Sequence, residues 1–542
     1  MIDKESHNLL TKMRLAFGTK HFQRTALILI VLVSFTKGIV WSLLIPPLYG
    51  FDEPLHFLYG RNIALTRNVR IKSSTLIPLD IWELDEPAEK RTRLKNGISP
   101  RDVYHDDVEF IVATQPYFYT YHPPLYYCLL AGIGSCLNQA GILWEVLGCR
   151  FVSICLGAYT AILAYLSGRI FWKEEKSLAP IAMATLVVYQ PMSAFSFSTI
   201  TNSSLEITLV SALLLIGLRI IHDGFTKKLS VMLSIIFLCG MLNKLSFFAC
   251  APLVVLLGIW SWSNQSKFGI SFRELILRVF IVALPGAAAS FWWCQLGRTG
   301  RDNIVHSFEM QTNPKTFSLL RYFSTKPWFE SYGKAVASYF GHFGWKNASL
   351  ALPLIVSLTV GVALCAVISC VRAVKDLRVQ ESFQVRCRGC SVLFLTAASL
   401  SFIFFYGAVD LVNSFLGRGW FTIRGQYYLS TIVGQALWVV SAIQWKNSTL
   451  RSNLALVTLC FGAMLLNFYA LIGVVTAHCY GVCDLTELFI RVANLQPVSP
   501  ATVGGLFFTY VLVSFLLLGF LIMLSTFDGR KPETGLRSNE VV

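Results

Sequence analysis

Apolar runs of about twenty residues follow one another along almost the whole of this chain, and that pattern leaves few folds open. In hydrocarbon every backbone N–H and C=O must find its partner within the protein, so such runs become helices or the strands of a closed barrel. Barrel strands would show short segments of alternating polarity, and none is evident. The expected fold class is therefore an all-α polytopic membrane protein. Twelve spans are expected, at 26–46, 149–171, 178–197, 204–221, 229–242, 245–262, 274–294, 350–371, 391–411, 427–444, 453–474 and 503–525. Only 14% of the 542 residues are charged, where soluble domains carry roughly a quarter. No cleavable signal is expected: residues 1–25 read as a polar, basic cytosolic N-terminus, and the run from Ala26 is long enough to stay as an anchor.

The formal charge of +16 would suggest nucleic acid in a soluble protein. Here the basic residues sit in short loops between spans, so they record orientation, and no nucleic-acid partner is expected. A thirteenth apolar stretch, 123–137, tests the topology. If it does not cross, Lys227-Lys228, Lys267, Arg273, the run Arg372 to Arg388, Lys446, Arg451 and Arg530-Lys531 all lie in the cytosol. If it crosses, all of them flip outward, against the positive-inside rule. The stretch is therefore read as a juxtamembrane helix on the outer face. The outer segments become 47–148, 297–349, 412–426 and 475–502, with small hairpins at 198–203 and Asn243-Lys244; the tail 527–542 is cytosolic.

Asp52-Glu53-Pro54 stands at the outer end of the first span, where paired carboxylates could supply a general base to a lipid-borne substrate. A like-charged neighbour and burial would raise one pKa of the pair. The same residues also make an ordinary helix start, with proline in the first turn, a capping Glu53 and a solvated Asp52. The helix would carry His56 and Tyr59, with Leu55, Leu58, Ala64 and Leu65 along one side. Downstream, Tyr121-His122-Pro123-Pro124-Leu125-Tyr126-Tyr127 begins a second short helix. Its tyrosines suit a membrane interface, while His122 could bind phosphate, orient a carboxylate or ligate a metal. Asp102, His105, Asp106, Asp107 and Glu109 lie in a polar stretch between the two. A divalent cation held by Asp106, Asp107 and a phosphate is compatible with that stretch, but its spacing is not diagnostic and no cofactor is assigned.

Most of the fourteen cysteines lie in apolar segments, where they act as small hydrophobes. Cys387 and Cys390 form a lone CxxC, short of the four ligands of a structural zinc. Cys479 and Cys483 could pair if their loop is lumenal. Sequons occur at Asn202, Asn264, Asn347 and Asn447, of which this topology exposes Asn202 and Asn347 to the lumen.

A DE motif after the first span, followed by HPPL-Tyr, resembles the GT-C superclass of polytopic glycosyltransferases. The nearest likeness is to a mainly bacterial branch of membrane proteins marked by DEP-x-H-F and HPPLYY. Gln190-Pro191 with Asn202, Ser338 to Trp345 and Ile423 to Leu429 resemble further segments of that branch, and the likeness covers about residues 25 to 475. Ser203 stands near where an acid is common, Gln426 replaces an arginine that Arg424 precedes by two residues, and Ser430 replaces a proline.

The resemblance implies a sugar donor carried on polyprenyl or dolichyl phosphate, inversion at the anomeric carbon and an acid in the first outer loop as base. Asp52 or Glu53 would then be catalytic. His122, Lys244, Arg424 and Arg418 would hold the donor phosphate, since the leaving group needs cations at the outer face. His56, Asn202, Tyr339, Trp345, Gln426 and Tyr427 would bind substrate. Each has an ordinary reading too: Lys244 snorkels, Arg418 anchors its loop, and Tyr339 and Trp345 sit in an interfacial aromatic belt. The expected organisation is a transmembrane module over 26–475, then an outer loop and last helix over 476–526. The expected partners are the lipid-phosphate sugar, the bilayer and an acceptor the sequence does not name. The membrane would be that of the secretory pathway in a eukaryote and the plasma membrane in a bacterium. A transporter or flippase, or a catalytically silent scaffold of this fold, are the rival readings; no internal repeat of the transporter kind is evident.

Overall fold

A computed structural model describes residues 19–69, 122–137, 139–173, 177–309, 328–344, 348–379, 382–415, 424–445, 449–482 and 484–526. Arg418, Trp345, Cys483, Asn347, Asn447 and the acidic stretch 102–109 lie outside the described residues.

The described chain is almost wholly helical, with one two-stranded antiparallel ribbon pairing His342 with Ser349. Nine described helices are long and apolar enough to cross a membrane. They begin with Arg24–Leu44 and Ile142–Phe171 and end with Leu450–Tyr480 and Pro500–Ser525. The other three expected spans are helical but short. The stretch 178–197 is two helices, Ala179–Tyr189 and Pro191–Ser196. The stretch 229–242 is the 17-residue helix Lys227–Asn243, and 427–444 is a 3-10 turn, Gly425–Thr431, leading into Ile432–Ile443.

The break at Gln190-Pro191 has a local cause. Proline brings no N–H, and the amide of Ser193 bonds to the Gln190 side chain instead of the helix. The carbonyls left over are taken by other helices: Lys37 Nζ donates to Val188 O, and Asn467 Nδ2 to Tyr189 O at 3.0 Å. Asn467 Oδ1 also accepts from Trp41 and Tyr510, each at 3.0 Å, so one amide ties the broken helix to the first and last spans.

The stretch 123–137 is a 13-residue helix, Leu125–Leu137, too short to span. It packs on the helix Glu53–Thr66 through Phe57, Tyr59, Ile63, Tyr126, Tyr127 and Leu130, which form a small core of their own. Leu65, expected on the packed side, is instead exposed, because the buried face runs through Pro54, Phe57, Gly60 and Ile63.

The loops expected to share one side come together. His222 lies within electrostatic reach of Lys173, Lys267 and Arg388, and Lys267 sits over the Phe383 ring at 3.1 Å. The other end gathers Asp52, Lys244 and Arg424.

Candidate active site

The first span stops at Leu44, just before Pro46-Pro47, leaving its last carbonyls without intrahelical donors. Arg150, fully buried in the first third of the helix Ile142–Phe171, supplies them. Its guanidinium donates to the carbonyls of Ser42 (2.7 Å), Ile45 (2.9 Å) and Pro46 (2.7 Å) and to both carboxylate oxygens of Glu53 (2.7 and 2.8 Å). Gln496 adds bonds to Leu43 O and Ile45 O, each at 3.2 Å, from the segment before the last span. Glu53 also accepts from the amides of Gly50 (2.7 Å) and Ile200 (2.9 Å). A side chain at position 50 would meet Glu53 Oε2 at 2.7 Å, so glycine is required there.

Glu53, one of the two expected bases, is therefore wholly buried with both oxygens engaged. A carboxylate so placed is a structural ion pair and has no free lone pair directed at a substrate. Arg150 went unrecognised in the sequence. Its signal was there: a guanidinium within an apolar run demands a buried counter-ion.

Asp52 is different. It occupies the N-cap position in the left-handed region (φ 54°), yet its side chain makes no capping bond. Its carboxylate points out to Arg424 Nη1 at 3.2 Å, across 372 residues of sequence, and both side chains stay about one quarter exposed. Arg424 stacks over Phe51 at 4.1 Å. The loop carrying Arg424 reaches this place because Gly425 lies against backbone: a Cβ there would meet Ala335 O at 1.9 Å. Ser338 Oγ accepts the Gly425 amide at 2.6 Å.

Lys244 is extended (φ −159°, ψ 132°) between two helical segments, and its ammonium lies 2.9 Å from Glu206 and 3.2 Å from Ser203 Oγ. Ser203 stands near where the resemblance implies an acid, and Glu206 lies a helical turn later on the same face. Ser246 donates to the second Glu206 oxygen. Tyr427 packs 5.0 Å from the Lys244 ammonium and stacks on Tyr406 at 4.5 Å. Gln426 is half-buried in the same 3-10 turn.

His56 and His122 face each other, ring centroids 6.2 Å apart, and His56 Nδ1 lies 2.8 Å from the Tyr127 hydroxyl. Burial above all holds both imidazoles neutral, with Lys244 adding to it for each and His122 for His56. His122 is lowered to about 3, with Lys244 the second cause, and His56 falls well below the ordinary histidine value.

Asn202 is 2% exposed at the start of its helix, and its carbonyl accepts from Asn243 at 3.1 Å. That burial corrects the expectation of an open sequon there. Tyr339 donates its hydroxyl to Gln435, and its carbonyl accepts from Gln190 at 2.7 Å, so it braces the bundle. Among the described residues, no three His, Cys, Asp or Glu side chains come close enough to hold a metal ion.

Comparison with curated proteins finds no match. Among solved structures the chain is similar to ArnT from Cupriavidus metallidurans bound to undecaprenyl phosphate. The two are 13% identical, with 92% of this chain and 76% of ArnT covered and a TM-score of 0.45. It is also similar to the oligosaccharyltransferase AglB from Archaeoglobus fulgidus, in complex with an inhibitory peptide and a dolichol-phosphate. There the identity is 13%, 87% of this chain is covered and the TM-score is 0.45. The chain spans 57% of the length of AglB. Residues 35–433, most of the chain, match the model of the family described as "Predicted membrane protein (DUF2142)", and the protein belongs to that family.

Proposed function

We propose that this protein is a glycosyltransferase that moves a sugar from a polyprenyl- or dolichyl-phosphate donor to an acceptor hydroxyl at the lumenal or periplasmic membrane face. The observation that carries this reading is the Asp52–Arg424 pair, a part-exposed carboxylate and guanidinium brought together from opposite ends of the family region. Inverting transfer needs an acid to accept the acceptor's proton and a cation to take up charge on the departing phosphate. In the proposed step the acceptor oxygen bonds to the anomeric carbon, the bond from that carbon to phosphate oxygen breaks, and the acceptor proton passes to Asp52. Arg424 grips the phosphate in bidentate fashion, Lys244 adds a point charge and His122 lies beside them. Arg418 and Trp345 keep their proposed roles from the resemblance alone. Residues 26–475 would form the transferase module and 476–526 its brace, through Gln496.

The test is turnover by purified protein on a panel of lipid-phosphate sugars. Asp52→Asn is expected to lose about 10²–10⁴-fold in rate, while the fold persists. Full activity in Asp52→Asn would remove it as the base.

A second reading, a lipid or solute transporter, is favoured by one observation. The broken helix ends on the buried amine of Lys37, and broken helices beside buried ionisable groups are common in transporters. Transport into proteoliposomes without covalent change would select it.

A further inference from the structure

The cations of the candidate site are already neutralised. Arg424 faces Asp52 at 3.2 Å and Lys244 faces Glu206 at 2.9 Å. Just beyond, Arg150 holds Glu53 at 2.7 Å and Arg61 holds Glu145 at 3.2 Å. The described charged group that acts on His122 is Lys244, itself paired with Glu206, while Asp52, paired with Arg424, acts on the neighbouring Tyr127. His56 is the titratable neighbour of His122; Tyr127 packs on His56, Tyr59 on Tyr127, and Tyr427 on Lys244. Among the described residues each charge in this set has an opposite partner, so a phosphate entering between Lys244 and the imidazoles brings a negative charge that none of these pairs balances.

Two neutral imidazoles, His56 and His122, lie within electrostatic reach of Lys244. His56 is buried, with Nδ1 engaged by Tyr127, whereas His122 is half-buried at the mouth of its helix. We infer that the site takes up one proton together with each phosphate it binds, and that His122 is the group that receives it. This rests on the reading of the site as a lipid-phosphate site.

The balance is simple. The free site has a neutral His122; the liganded site has an imidazolium beside a phosphate oxygen, the proton coming from solvent. An anion in contact offsets the second cause of the depression, the field of the nearby Lys244, and adds an opposite charge beside the imidazole. In the transfer step the leaving phosphate gains a second charge, and the imidazolium is already in place to face it.

The test uses geranylgeranyl methyl phosphate, a phosphodiester with a single charge that does not titrate near neutrality, and the full-length protein in detergent. Calorimetry in two buffers of different ionisation enthalpy counts protons without any variant. The expected result is uptake of about one proton per ligand, with affinity falling roughly tenfold per pH unit between the free and bound pKa of the histidine. His122→Gln is expected to bind more weakly, with no proton uptake and a flat pH profile, and His56→Gln to keep the wild-type slope. Binding without proton uptake overturns the inference, as does a slope that survives His122→Gln but is lost in Asp52→Asn. Absence of binding at every pH overturns the lipid-phosphate reading itself.

Discussion

Asp52 and Glu53 are neighbours in sequence and strangers in chemistry. Glu53 lies in a closed box of donors, while Asp52 turns outward in a left-handed backbone. Removing the Glu53 charge leaves Arg150 buried and unpaired, so Glu53→Gln is expected to cost about 3–5 kcal/mol of stability. Asp52→Asn is expected to cost under about 1 kcal/mol, since asparagine tolerates positive φ and the lost pair is part-exposed. Chemical or thermal unfolding of the two variants in detergent separates them, and equal destabilisation would contradict this division of roles. The acidic pair was legible in the sequence; its division was not, because Arg150 and Arg424 lie 97 and 372 residues away. His122 adds a pH dependence. Its folded pKa of about 3 is below the ordinary 6.5, so the stability it contributes is present above 6.5 and lost as the pH falls toward 3. Acid unfolding midpoints are expected to shift toward neutrality in wild type more than in His122→Gln, where that group no longer titrates.

At the scale of elements, hydropathy located every described span but not its interruptions. A run such as 178–197 reads as one helix because an apolar window passes over Gln190-Pro191 unmarked. What makes the break tolerable comes from elsewhere: Lys37 on the first span and Asn467 on a late one take its stranded carbonyls. The eight-residue π-helical stretch Tyr469–Thr476, which follows Asn467, has no sequence signature in a uniformly apolar run. Wide turns of this kind often accompany functional geometry, and here the stretch leads into the segment packed beside Tyr49. The polar hub at Asn467 is the place to test this arrangement. Asn467→Leu keeps the volume roughly constant but strands the Trp41 N–H, the Tyr510 hydroxyl and the Tyr189 carbonyl. We expect a loss of about 1–3 kcal/mol, read as a lower unfolding midpoint in detergent. A neutral outcome would mean that water replaces the amide and that the break is held by Lys37 alone.

For the whole molecule, the strongest inference from sequence was sidedness. Counting basic residues over short loops decided that 123–137 does not cross, and that decision placed Asp52, His122, Lys244 and Arg424 on one face. The structure gathers Asp52, Lys244 and Arg424 at one end of the bundle and Lys173, His222, Lys267 and Arg388 at the other. Convergence of this kind requires each helix to run between the ends in turn. Lys227–Asn243 does so in 17 residues, about 25 Å at 1.5 Å per residue. Which end faces the cytosol follows from the positive-inside rule, and it can be measured directly. Arg67 is exposed at the end of the Asp52 helix, and Lys228 is exposed at the start of the helix Lys227–Asn243. Single cysteines at these positions, in a background with the native cysteines replaced, are expected to react with a membrane-impermeant maleimide from opposite sides of sealed vesicles. Lys228→Cys should react from the cytosolic side and Arg67→Cys from the lumenal or periplasmic side. Reaction of both from one side would break the topology, because an odd number of crossings must separate them. Reaction from opposite sides in the reverse sense would keep the bundle but put the Asp52 site in the cytosol, where the proposed acceptor face would be wrong.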